Sequence, residues 1–214
     1  MRLGEIFQPQ SASRRKRSDG TVAEVFIIES LTLTDETKER HEGAVLAAVL
    51  KMCGKKPLYY YIRTRAELEH LAEEFEASGY RYLHVSCHGG DGSLETTLDS
   101  ISYADFAKIF SNRLAGRRLF VSACSAGNES FAELIHGKNS KAISVAAPVE
   151  EIRFDHAVAF WCAFYTKAFS INAKYMNSDH LLEVLQPLAT LFNAPMHFSR
   201  VGKNKKWAHE VIEG

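Results

Sequence analysis

Tyr82-Leu83-His84-Val85-Ser86-Cys87-His88-Gly89-Gly90 and Leu119-Phe120-Val121-Ser122-Ala123-Cys124 are the two stretches on which the fold turns. Each reads as a strand that runs straight into a reactive side chain, His88 in the first and Cys124 in the second. Cys124 follows His88 by 36 residues, which fits one helical crossover between neighbouring parallel strands. In that crossover Ser102 and Asp105 cap a helix that turns Phe106, Ile109 and Phe110 inward.

The pattern repeats outward from this pair. Val25-Phe26-Ile27-Ile28 is a short apolar run, the signature of a buried strand. Thr34 is then expected to cap a helix reaching about Met52, with Val45, Leu46, Val49 and Leu50 at helical spacing and Gly54 as its stop. Leu58 to Ile62 is a second strand, rich in aromatic and branched residues. Thr64-Arg65-Ala66-Glu67 is a capping box, and the helix it opens carries Leu68, Leu71, Ala72 and Phe75 on one face and closes at Gly79. Beyond Cys124, a helix is expected from about Asn128 to His136 and a fifth strand over Ala142 to Ala147. Asp155 to Phe169 is a strongly apolar helix, and Asp179 to Phe192 another, broken or kinked near Pro187. Met196 to Val201 is a sixth strand, followed by an exposed basic end, Lys203 to Lys206. Strands alternating with helices imply an α/β layer fold around a mostly parallel sheet. One domain over residues 21–214 accounts for the pattern, with residues 1–20 a polar tail or edge segment holding the basic run Arg14-Arg15-Lys16-Arg17.

Composition narrows the function. The 214 residues include 26 Lys+Arg and 26 Asp+Glu, so the net charge is zero and a nucleic-acid or anionic-membrane coat is disfavoured. With 46% hydrophobic and 24% charged residues, the chain can bury a core without disulfides or metal. Apolar runs such as Ala44 to Leu50 fall far short of the roughly 20 residues that span a bilayer. The opening stretch lacks the apolar segment of a signal peptide, so the expected location is cytoplasmic. Cys53, Cys87, Cys124 and Cys162 are scattered, which favours free thiols and offers no metal-ligand spacing.

In an open parallel sheet, ligands gather outside the carboxyl ends of the strands. His88 and Cys124 would emerge there side by side, placing a proton carrier next to a thiol. Gly89 and Gly90 let their backbone come close to a substrate carbonyl. An amide of the Gly89 turn with that of Cys124 would form an oxyanion hole. Cys124 precedes a helix start, whose dipole favours thiolate. Alternation turns Cys87 to the opposite face from His88, as a buried inert thiol, and His84 reads as structural. Glu150, Glu151 and Asp155 follow the fifth strand on the same rim. They read either as the acidic first turn of a helix or as a pocket for a basic side chain before the scissile bond.

The ordered set of strand-end motifs, His88-Gly89 and Ala123-Cys124, resembles the His-Gly and Ala-Cys signatures of caspase-like cysteine peptidases. Within that clan it is most similar to the CHAT group, related to separase, over roughly residues 22–169. The helix Asp155 to Tyr165, after a strand and an acidic turn, fits as well. The resemblance implies a caspase-like three-layer sandwich with a mostly parallel central sheet of about six strands flanked by helices. It also implies His88 as catalytic histidine and Cys124 as nucleophile of a dyad, with no third member assigned and no cofactor. Separase-like relatives carry an acidic residue at a matching place, which makes Asp155 the first candidate for the basic-side-chain pocket. The family pattern departs at Cys87, where small or hydroxyl residues are common.

The resulting expectation is a cysteine endopeptidase acting on a protein substrate, with a regulatory or sensor protein as a further partner and a bacterial defence effector as one role. The run Arg14 to Arg17 would then be a solvated tail or a self-processing site. The rival readings are a catalytically silent caspase-like module that binds a partner, and another α/β thiol hydrolase.

Overall fold

The computed structural model describes residues 20–90, 92–137, 140–202 and 206–214; the basic run at 14–17 lies outside them. The chain begins with β1 (Val22–Glu29), α1 (Leu33–Thr37), α2 (Glu42–Met52), β2 (Leu58–Tyr61), α3 (Arg65–Ser78) and β3 (Tyr80–Ser86). Three short strands follow, β4 (His88–Gly90), β5 (Ser93–Glu95) and β6 (Ser100–Ser102), then α4 (Tyr103–Phe110), β7 (Arg118–Ser122), α5 (Glu129–Ile135) and β8 (Ser144–Pro148). The chain closes with α6 (Phe154–Ile171), α7 (Ser178–Phe192), β9 (Met196–Val201) and β10 (Trp207–Ile212).

Seven strands form the central sheet in the order β10-β9-β8-β7-β3-β1-β2. The pairs from β2 to β8 are parallel, and β9 and β10 join antiparallel at one edge. Alternation of side chains sends each strand into two cores. Phe26, Ile28, Leu83, Val85, Leu119 and Val121 face α3, α4 and α5, where Leu71, Phe75, Phe106 and Phe131 meet them. Val25, Ile27, Tyr82 and Phe120 face α2, α6 and α7, against Leu46, Trp161, Phe164 and Leu185. Burial on both faces explains why these strands read as apolar runs rather than as alternating polar and apolar residues.

Three expectations change. The helix expected over Thr34 to Met52 is two helices. Thr32, not Thr34, caps the first, its hydroxyl accepting from the Asp35 N–H. The chain reverses where Glu39 takes φ 54° and the Arg40 N–H returns to the Asp35 carbonyl. Asp35 and Glu42 are both buried on either side of this break. A seventh strand, β10, lies beyond the expected six; it exposes Ala208, His209, Glu210 and Val211 at the sheet edge and so carries no apolar run. The helix α7 runs unbroken through Pro187, held on both sides by buried Leu181, Val184, Leu185 and Ala189. The stretch after His88 is a small antiparallel sheet, with Leu94 and Ile101 paired and buried.

Candidate active site

The site begins in the register of the sheet. β3 and β7 pair from Tyr82 with Arg118 through Ser86 with Ser122, and the Cys87 N–H adds a further bond to the Ser122 carbonyl at 3.1 Å. His88 and Cys124 each lie two residues past the last pair, so both leave the sheet at the same level. Gly89 then packs onto Cys124: a Cβ on Gly89 would stand 1.8 Å from the Cys124 carbonyl oxygen and 3.0 Å from its nitrogen. Glycine is needed at this position for the contact between the two backbones.

The His88 ring is one-third exposed and is fixed from two sides. Its Nε2 lies 2.8 Å from Asp35 Oδ2, and its face meets the Phe154 ring at 5.3 Å and 71°. Asp35 is 6% exposed and takes bonds from Thr32 Oγ1 at 2.6 Å and Arg40 Nη1 at 2.9 Å. Burial works to raise its pKa, yet the bonds from Thr32, His88 and Arg40 outweigh it and hold the carboxyl below the usual range. An ionised carboxylate only accepts, so the Nε2 hydrogen is directed at Asp35 and Nδ1 is the ring nitrogen left to face the site. Arg40 also lies over Phe154, at 5.3 Å.

Cys124 sits in the turn after β7. Its sulfur is 3.9 Å from the Ile152 carbonyl, and among the described residues no hydrogen bond takes up its N–H. Ser125 next to it adopts φ 58°, a left-handed conformation that non-glycine residues adopt at a cost of about 1–2 kcal/mol. The turn is held by the Ser125 N–H to the Glu150 carbonyl at 3.4 Å and the Gly127 N–H to the Pro148 carbonyl at 2.7 Å. The segment after β8 therefore touches both halves of the site, Cys124 through Ile152 and His88 through Phe154.

Glu150 and Glu151 are exposed on this segment. Asp155 is exposed too, and Arg153 grips both its oxygens at 3.0 and 2.8 Å, which pulls its pKa to about 2. Cys87 packs into the α3–α4 core, where burial pushes its thiol up to about 12. His84 is fully buried, with Nδ1 3.2 Å from the Tyr165 hydroxyl and Nε2 3.4 Å from Glu42. Glu42 also accepts from Ser122 Oγ at 2.9 Å, so a satisfied polar layer underlies the turn that carries Cys124.

Sequence reasoning missed Asp35 and Phe154. Thr32-Leu33-Thr34-Asp35 is a capping signature that could have placed the start of α1. Nothing local in the sequence joins Asp35 to His88, 53 residues away. Among the described residues no group of three or more His, Cys, Asp and Glu could hold a metal, and no helix is long and apolar enough to cross a membrane.

No family model matches the sequence, and no curated protein matches it. Solved structures do match in shape. Caspase-1 from Spodoptera frugiperda aligns with TM-score 0.51 and 15% identity, over 80% of this chain and 78% of its own. A secreted C11 cysteine protease from Bacteroides thetaiotaomicron aligns with TM-score 0.54 and 9% identity, over 84% of this chain and 67% of its own. The Arg-specific cysteine proteinase gingipain R aligns with TM-score 0.51 and 14% identity, over 73% of this chain but only 38% of its own. At these identities the likeness is one of fold, and the fold is caspase-like, an α/β sandwich around a mostly parallel sheet.

Proposed function

We propose that the chain is a cysteine endopeptidase working through His88 and Cys124. The observation that carries this reading is the contact of Gly89 with the Cys124 backbone, which brings the two strand ends together on one rim. In the proposed reaction His88 Nδ1 takes the proton of the Cys124 thiol as Sγ adds to a peptide carbonyl carbon, whose oxygen becomes an oxyanion. The C–N bond breaks as His88 gives its proton to the leaving amine, which leaves a thioester. Water, deprotonated by His88, then adds to the thioester and expels the thiolate. The Cys124 N–H, with no partner among the described residues, is one donor for the oxyanion. Asp35 acts as a positioning residue that sets the tautomer and direction of the imidazole.

Cleavage after a basic residue is the specificity we propose. The exposed carboxylates of Glu150 and Glu151 support it, since their backbone borders the Cys124 turn, and the Arg specificity of gingipain R is a parallel on the same fold. Asp155 contributes less than its sequence position implies, because Arg153 already occupies both its oxygens.

The test is labelling by thiol-reactive peptide probes that end in Arg, Lys or Asp. Labelling of Cys124 that is strongest with Arg or Lys and lost in His88→Ala is the expected result. Equal labelling by a simple alkylating agent in wild type and His88→Ala, with no peptide probe reacting, would leave a binding module in place of an enzyme.

A further inference from the structure

The opposite ends of the same strands hold a second polar constellation. Arg118, the first residue of β7, is 1% exposed, and burial pushes its pKa down. Its Nη1 donates to Ser144 Oγ at 2.7 Å and Ser178 Oγ at 3.1 Å, while its buried Nε has no hydrogen-bond partner among the described residues. No carboxylate among the described residues pairs with this guanidinium. Ser178 opens α7, a helix of 15 residues, so a buried cation lies against the positive end of a helix dipole. Asp179, the acid in that first turn, points instead to Arg200, at 2.6 Å. Arg81, bonded to Thr21 and the Lys174 carbonyl, adds positive charge nearby, and the Tyr175 ring covers both guanidinium groups, at 5.6 and 6.0 Å.

A buried cation without a counter-ion is among the costliest arrangements a fold can hold, and here the adjoining helix end makes it worse. The same features together make an anion receptor: a guanidinium, two rotatable hydroxyls and the first turn of a helix. We propose that this floor of the sheet binds a small phosphate-type oxyanion, held by Arg118, Ser144, Ser178 and the start of α7, with Tyr175 swinging aside to admit it. Tyr175 is 43% exposed, so its ring can move into solvent without opening the core. The site lies a strand length from Cys124 and does not rest on the peptidase reading.

Thermal unfolding of the full chain tests this with inorganic phosphate and with AMP as probes, against chloride at matched ionic strength. Phosphate or AMP should raise the midpoint saturably in wild type, through binding to the native state. Ser178→Ala should weaken the affinity about fivefold, and Arg118→Met should abolish it. Without phosphate Arg118→Met should unfold no earlier than wild type, because it removes an uncompensated charge. If that variant does not fold, Tyr175→Ala decides, and it should bind phosphate more tightly once the cover is gone. A rise no larger than that with chloride, a rise retained in Arg118→Met, or affinity unchanged in both Ser178→Ala and Tyr175→Ala would overturn the proposal.

Discussion

The strands β3 and β7 carry opposite solutions to one electrostatic problem at their two ends. Beyond the carboxyl ends every buried charge has company: Asp35 has Thr32, Arg40 and His88, and Glu42 has Ser122 and His84. At the amino ends Arg118 has two hydroxyls and a ring but no carboxylate among the described residues. A satisfied network is rigid and needs nothing further, which suits a site that must hold an imidazole in one orientation. An unsatisfied cation is unfinished, and its stability depends on what the solution supplies. The contrast separates a preorganised site from a ligand-dependent one along the same two strands.

The largest break in the rim should come from Gly89→Ala. The added methyl would stand 1.8 Å from the Cys124 carbonyl oxygen, and backbone rather than a flexible side chain must give way. We expect a loss of about 1–3 kcal/mol in stability from overpacking. Peptidase activity should fall more than about 100-fold, because a displacement near 1 Å is enough to spoil the approach. Denaturant unfolding and steady-state kinetics on one preparation check both. Wild-type kinetics in Gly89→Ala would show that the close contact does not set the geometry.

Asp35→Asn keeps the shape of the rim and removes only its charge. An activity loss of about 10- to 100-fold is expected. Asp35→Glu should restore part of the rate. A lower rate that Asp35→Glu does not restore at all would mark Asp35 as structural. Stability gives an independent reading. The folded pKa of Asp35 is depressed, so its contribution is present above the unfolded value of about 3.9 and fades as pH falls through the folded one. Asp35→Asn should lose that acid-side slope.

These two residues also show what could be read from the chain alone. His88 and Cys124 were legible because each ends an apolar strand, and a constant offset between two parallel strands is visible in one dimension. The layers were legible for the same reason, since strands buried on both faces leave continuous apolar runs. Asp35 was not. It reaches His88 only because the chain reverses at Glu39, and the unbroken helix expected from Thr34 would have carried Asp35 away from the rim. Glu29, His84 and Ser122 sit among apolar neighbours as polar residues in buried strands, and only packing shows which of them meet. The edge strand β10 was hidden because half-exposed edges bury too little to pattern their sequence. The buried cation Arg118 was hidden because sequence counts charges over the whole chain, and a net charge of zero says nothing of local pairing.

Histidine 136 offers a milder version of the Arg118 problem. It is 9% exposed, with Nε2 3.0 Å from Ser199 Oγ and its ring flat on Trp207 at 5.7 Å. Burial pulls its pKa down to about 4, with His197 adding to the effect. The unfolded chain therefore binds this proton first as pH falls, and stability is lost from about pH 6.5 down to about 4. The loss attributable to His136 reaches at most about 3 kcal/mol. His136→Phe keeps the stacking and should flatten the slope, as urea unfolding at neutral pH and near pH 4 would show. An unchanged slope would assign the acid sensitivity to other groups.

Asp155→Ala should have the smallest effect and bears directly on specificity at the rim. The carboxylate is exposed and spent on Arg153, so the denaturant midpoint should stay where it is in wild type. Removing it also frees the Arg153 guanidinium, on the same segment as Glu150 and Glu151, which adds positive charge to the stretch where a basic substrate side chain is proposed to lie. KM for Arg-containing peptides should therefore rise a few-fold with kcat unchanged, and Arg153→Ala should lower it by a similar factor. Glu150→Gln with Glu151→Gln should raise KM more than Asp155→Ala does, because those carboxylates carry no such partner among the described residues. If Asp155→Ala instead abolishes cleavage after Arg while the double Gln variant leaves it intact, the pocket is built on Asp155 and the Arg153 pair must open when substrate binds.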